Sequence, residues 1–112
     1  MDSDTTVRGT LAAIAAADDL ILSTLTPVLA EHDLTIEHFR ALRLLTEVDG
    51  ATVGEIAART GTTPSSTTRL VDRLVERGLA YRRTAPTDRR SVLLTMSDTG
   101  RATWASVVDA LD

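Results

Sequence analysis

Ser65, Ser66 and Thr68 bring three hydroxyls, and Arg69 and Arg73 two guanidiniums, into one short stretch. Hydroxyls exchange hydrogen bonds with phosphate oxygens and base edges at short range, and a guanidinium grips paired acceptors on a guanine or a phosphate. A second cluster, Arg82, Arg83, Arg89 and Arg90, brackets Pro86 and Asp88. Both groups suit the recognition of a polyanion. Bond-making chemistry finds no support. There is no Cys and no phosphate-binding glycine loop, and neither His32 nor His38 falls beside a Ser–Asp arrangement. Glu31, Asp33 and Glu37 stand near the two histidines, but this set reads as surface residues at helix ends, not as metal ligands. No catalytic residue, metal or cofactor is expected.

The residues around these clusters dictate how they are held. Thr52 followed by Glu55 is a capping box that starts a short helix, and Gly61 suits the left-handed residue that ends one. Thr63-Pro64 restarts a helix at once, with Thr63 as N-cap and Pro64 at the first helical position, where a missing N–H costs nothing. Thr67, Leu70, Val71, Leu74 and Val75 recur at helical spacing and turn inward, which leaves Ser65, Ser66, Arg69 and Arg73 on the other side until Gly78. Residues 79–83 read as a strand, 84–90 as a turn-rich loop and 91–95 as a return strand. The loop carries Arg89 and Arg90 near its tip, and Asp88 is placed to aim the Arg90 guanidinium through a charge-assisted hydrogen bond. Helix, turn, helix and hairpin in this order make a winged helix-turn-helix, with the second helix in a major groove and the Arg-rich tip in a minor groove. The bland alternative is a solvated helix, patterned by Arg69, Arg73 and Arg77 with Asp72 and Glu76, beside a solvated Arg cluster.

Residues 34–104 resemble the MarR-type family of bacterial transcriptional regulators. The family's wing signature is Asp-x-Arg, five residues, then Leu-Thr. Here Asp88-Arg89-Arg90 is followed by residues 91–95 and then Met96-Ser97. The run from Ser65 to Leu74 is similar to the family's recognition helix, and Leu34 to Leu42 to its second helix. Thr67 stands where the family more often has an aliphatic residue, and Pro64 where it often has a basic one. The resemblance implies a homodimer on a pseudo-palindromic double-stranded DNA operator, acting as a repressor and often relieved by a small-molecule effector. It implies DNA-binding roles for Thr63, Ser65, Ser66, Thr68, Arg69, Arg73, Arg83, Asp88, Arg89 and Arg90. It also implies an effector pocket between the dimer helices and the DNA-binding lobe. Ile14, Phe39, Leu42 and Trp104 are the lining candidates, though each reads first as plain core.

Composition frames this reading. The chain has 112 residues, enough for one domain with a modest core. Its net charge is −4, yet residues 59–90 hold eight Arg against three acids and are +5, leaving −9 for the rest. One basic module in an acidic body concentrates the field on one face. Residues 5–31 predict a long helix whose Val7, Leu11, Ile14, Ile21, Leu25 and Val28 form a heptad-like stripe, broken at Asp18 and perturbed at Pro27. Leu20, Leu22 and Leu29 widen its apolar surface, so it needs two partners, its own domain and a second subunit.

The expected organisation is a single domain over 1–112. It has an N-terminal dimerisation helix (5–31), a winged helix-turn-helix core (34–97), and a last helix (98–112) that also serves dimerisation. Such family members usually continue into a further C-terminal helix, so dimerisation is expected to fall on residues 5–31 and 98–111. The start Met1-Asp2-Ser3-Asp4 has no basic n-region, and Asp18-Asp19 argues against a membrane span, so a cytoplasmic location is expected. A competing reading keeps the fold but uses it as a protein–protein interaction module without specific DNA binding.

Overall fold

The computed structural model describes residues 3–111, so the expected features at Met1 and Asp2, and the final Asp112 of the last helix, lie outside the described residues. Helix α1 (Ser3–Glu31) leads into α2 (Ile36–Glu47), α3 (Val53–Thr60) and α4 (Pro64–Glu76). The hairpin β1 (Ala80–Ala85) and β2 (Asp88–Met96) follows, and α5 (Asp98–Leu111) closes the chain. This is the winged helix-turn-helix expected, mainly α with a small β-wing and a long N-terminal helix.

The core sits where α2, α3, α4 and the base of the hairpin converge. Leu42, Ile56, Leu74, Val71 and Val107 are fully buried there, with Leu25 and Leu29 from the last turns of α1. The rest of α1 leaves this core. At 29 residues it is about 44 Å long at 1.5 Å per residue, which accounts for most of the 55 Å extent of the molecule. It runs unbroken through Pro27. By length and mean hydropathy, 1.5, its Thr6–Glu31 stretch meets the demands of a membrane span, with Asp18 and Asp19 in its middle. Val7, Leu11, Ile14, Leu20, Ile21 and Leu22 on it are all exposed.

Local chemistry fixes the shorter elements. The Thr52 hydroxyl accepts from the Glu55 N–H at 3.1 Å, and the Glu55 carboxylate accepts from the Thr52 N–H at 3.4 Å, so the expected capping box forms. A second one forms at α2, whose start at Thr35 the sequence marks. There the Thr35 hydroxyl accepts from the His38 N–H at 3.3 Å, while His38 Nδ1 accepts from the Thr35 N–H at 3.0 Å. An imidazole thus replaces the usual Glu or Gln. This corrects the reading of His38 as a surface residue: it is only 4% exposed, because the capping geometry folds the ring back under the helix start. Gly61 adopts φ 68°, the left-handed cap that lets α3 end and α4 begin within three residues.

Gly100 has a reason that its helix propensity hides. A Cβ there would lie 2.0 Å from the Leu79 carbonyl oxygen, so only glycine lets α5 pack against the end of the α4–β1 connection. Ser97 caps this helix, accepting from the Gly100 N–H at 2.9 Å and donating to the Gly78 carbonyl at 2.6 Å.

The wing is longer and its tip tighter than expected. The strands pair in antiparallel register, Arg82 opposite Leu94 and Thr84 opposite Val92, with a bulge after Thr84. Only Pro86 and Thr87 remain between the strands, so Asp88, Arg89 and Arg90 belong to β2 and not to a loop. Ala51 adds a single bridge to the outer side of β2, exchanging backbone hydrogen bonds with Leu94 at 2.9 and 2.8 Å.

Candidate nucleic-acid interface

Helix α4 begins where the sequence places it. Thr63 is the N-cap, its hydroxyl accepting from the Ser66 N–H at 3.3 Å, and Pro64 occupies the first turn. Thr67, Leu70, Val71 and Leu74 are buried against α2 and α3. Ser65, Ser66, Thr68, Arg69 and Arg73 are thereby all exposed on the opposite side. The Thr68 hydroxyl donates to the Pro64 carbonyl at 3.0 Å. Neither Arg69 nor Arg73 enters an ion pair among the described residues. Arg69 stands in the middle of α4 and Arg73 in its last turn, and with the hydroxyls of the helix start these two unpaired guanidiniums form an anion-attracting face.

The wing divides the predicted residues. Arg89 and Arg90 are exposed and unpaired among the described residues, close to the tip. Arg83 turns inward instead. Its Nε donates to the Thr95 hydroxyl at 2.9 Å, and a terminal nitrogen donates to the Asp49 carbonyl at 2.7 Å and pairs with the Asp49 carboxylate at 3.3 Å. It clamps the wing to the α2–α3 connection. Asp88 departs from the expected geometry. Its carboxylate accepts from the Arg90 backbone N–H at 2.9 Å and the Ser91 hydroxyl at 3.1 Å, not from the Arg90 guanidinium. A short side chain reaches the amide two residues on more readily than a long, mobile guanidinium reaches back.

Two arginines matter in ways the sequence did not announce. Arg82 pairs with Asp72, tying strand β1 to the middle of α4. Arg77 donates to the His32 carbonyl at 2.8 Å and to the Asp33 carbonyl, fastening the end of α4 to the α1–α2 corner. Helix spacing alone placed Asp72 and Arg77 in a solvated charge pattern. The signal available for Arg82 was strand alternation, which puts its side chain on the face opposite to Arg83.

A cavity of about 600 Å³ opens on the far side, between α1, α2, α3 and α5. Leu20, Ile21, Leu25, Ile36, Phe39 and Leu111 form its apolar wall, and Arg40, Arg43 and Arg59 its polar edge. Glu47 pairs with Arg59 at 2.7 Å and with Arg43 at 3.5 Å, and the bond to Arg59 holds its carboxyl below the usual carboxylate range. Of the four lining candidates only Phe39 borders this cavity. Its ring stacks on Trp104 with centroids 4.9 Å apart, Leu42 is core, and Ile14 lies exposed further along α1.

A tight helix pair with an exposed hydroxyl–arginine face, flanked by an arginine-bearing wing, defines the class: a winged helix-turn-helix DNA-binding unit. The profile of the MarR family matches residues 32–91, more than half of the chain, and the chain belongs to that family of DNA-binding transcriptional regulators. The crystal structure of RV1404 from Mycobacterium tuberculosis is 31% identical, covers 94% of this chain and 73% of its own, and superposes with a TM-score of 0.83. The transcriptional repressor CouR bound to a 23-mer DNA duplex is 32% identical over 88% of this chain and 70% of its own, with a TM-score of 0.75. CouR from Rhodococcus jostii RHA1 bound to p-coumaroyl-CoA is 29% identical over 89% and 71%, with a TM-score of 0.78. No curated protein matches the chain in sequence.

Proposed function

We propose that this chain is a dimeric, sequence-specific reader of double-stranded DNA that represses transcription from a pseudo-palindromic operator in the cytoplasm. One observation carries the proposal. Arg69 and Arg73 are exposed on a helix face that also presents Ser65, Ser66 and Thr68, and neither forms an ion pair with an acid among the described residues. In this reading Arg69 grips a base edge in the major groove, while Arg73 and the hydroxyls hold phosphates. Arg89 and Arg90 enter the flanking minor groove. Thr63 sets the helix start, Asp88 shapes the wing tip, and Arg83 anchors the wing without leaving its internal partners.

The exposed apolar face of α1 supports the dimer, because a contiguous row of Leu, Ile and Val on a soluble chain calls for cover. Helix α5 extends the same assembly. The cavity beside α1 is the place for an effector. Three arginines against one glutamate at an apolar wall favour a ligand with an apolar body and an acid group. The p-coumaroyl-CoA complex of CouR, a relative with a large acidic ligand, is in keeping with that class.

The test is binding to duplex DNA across a salt series. The proposal expects affinity to fall steeply and log-linearly with salt, and the slope to shrink by about one on Arg73→Ala. A flat salt dependence, with protein-only partners recovered, would favour the interaction-module reading.

A further inference from the structure

Four threonines line the turn between α3 and α4, and three of their hydroxyls touch in series. Thr60, the last residue of α3, is buried, and its Oγ1 lies 2.8 Å from the Ile56 carbonyl oxygen. The same oxygen lies 2.8 Å from Thr62 Oγ1, which lies 2.5 Å from Thr67 Oγ1. Thr67 is fully buried in α4, and its Oγ1 lies 2.8 Å from the Thr63 carbonyl oxygen. That carbonyl belongs to the N-cap residue and already accepts the Thr67 N–H at 2.8 Å.

The proton count is instructive. Three hydroxyl protons serve four contacts. Run one way, Thr67 donates to Thr62, Thr62 to Thr60, and Thr60 to the Ile56 carbonyl. Run the other way, Thr60 donates to Thr62, Thr62 to Thr67, and Thr67 to the Thr63 carbonyl. Each direction makes a continuous chain whose members polarise one another, and each crosses the turn. In each of these two directions the chain joins the last turn of α3 to the first turn of α4.

We infer that Thr67, through Thr62 and Thr60, is a positioning residue that sets the angle of the DNA-reading helix α4 on α3. Resting on the DNA-binding proposal above, the inference adds a determinant that touches no DNA. It separates from a merely structural role by one consequence. If Thr67 loses its hydroxyl, Thr62 still donates to Thr60 and Thr60 to Ile56, so no donor is orphaned and stability changes little. What disappears is the tether across the turn.

The experiment compares Thr67→Val, which keeps the side-chain volume, with Thr67→Ser, which keeps the hydroxyl. Three quantities are read: affinity for a selected operator, affinity for a scrambled duplex, and amide hydrogen exchange in α4. The expected result for Thr67→Val is operator binding weakened about tenfold, with scrambled-duplex binding unchanged. Its melting temperature stays within about 4 °C of wild type. The amides of Ser66 to Arg69 exchange about tenfold faster, while that of Leu74 does not change. Thr67→Ser restores all of these to near wild type.

Wild-type exchange in Thr67→Val overturns the inference. So does a parallel loss of both DNA affinities with a lowered melting temperature, because that is ordinary destabilisation. If wild-type protein selects no operator, the DNA-binding proposal fails on its own account, and the exchange pattern alone then decides whether Thr67 sets the helix.

Discussion

Helix α4 buries one face and presents the other, whereas α1 buries Leu25 and Leu29 in its last turns and leaves residues 6–24 exposed, and the two exposed surfaces differ in chemistry. On α4 the outward residues are hydroxyls and guanidiniums, with Arg69 and Arg73 unpaired among the described residues. On α1 they are Val7, Leu11, Ile14, Leu20, Ile21 and Leu22. Burial of the inner face of α4 and of the last turns of α1 supplies the fold. In the proposed function the exposed surface selects the partner: a polyanion for α4, and for α1 an apolar surface such as a second copy of itself. The two are physically connected, since Arg77 at the end of α4 holds the backbone of His32 and Asp33 where α1 ends.

That contrast can be broken from either side. The largest effect is expected from a charge on the apolar face. Leu11→Asp together with Ile14→Asp should convert the protein to a monomer in sedimentation and weaken operator binding by about a hundredfold or more, because two linked half-site contacts become one. Melting of the monomer should stay cooperative, since neither residue touches the core. Next comes the polar face. Arg69→Ala should weaken operator binding by about ten- to a hundredfold, as measured by fluorescence anisotropy, and leave the sedimentation of the dimer unchanged.

The link between the helices ranks third. Arg77→Ala leaves two carbonyls at the α1–α2 corner without their donor, and should lower unfolding stability in urea by about 2 kcal/mol. The smallest effect is a pH dependence under the same corner. Burial, then the charges of Arg77 and Arg73, lower the His38 pKa below its ordinary 6.5, against weaker opposing pulls from Glu37 and Asp33. The folded state therefore resists a proton that the unfolded chain accepts. The contribution of neutral His38 is present above about pH 6.5 and is lost as pH falls through the lowered folded value. Melting temperature should drop on acidification through this window, and His38→Gln should flatten the drop.

Much of this was legible in the sequence, for a physical reason. The helix-turn-helix is built from local signals: the Thr52–Glu55 box, the Gly61 cap, Thr63-Pro64 and the period of Leu70, Val71 and Leu74 all act within a few residues. What escaped was set by contacts distant in sequence. Arg83 meets Asp49, Arg82 meets Asp72, and Arg77 meets His32 across 45 positions, and no local pattern encodes such pairs. Asp88 was given the wrong partner because a charge–charge preference was ranked above a nearer backbone amide. His38 was misplaced because a histidine at the third helical position seldom takes the role of a capping Glu. Gly100 looked like a helix defect until the Leu79 carbonyl came within 2.0 Å of its absent Cβ.

The central claim is that α4 and the wing read a DNA sequence as one half of a dimer. Selection of bound duplexes from a random double-stranded pool, at near-physiological salt, tests it most directly. The account predicts an enriched inverted repeat whose half-site centres lie about one helical turn, roughly 34–36 Å, apart. A folded protein that enriches no sequence, or only a single half-site, would contradict it.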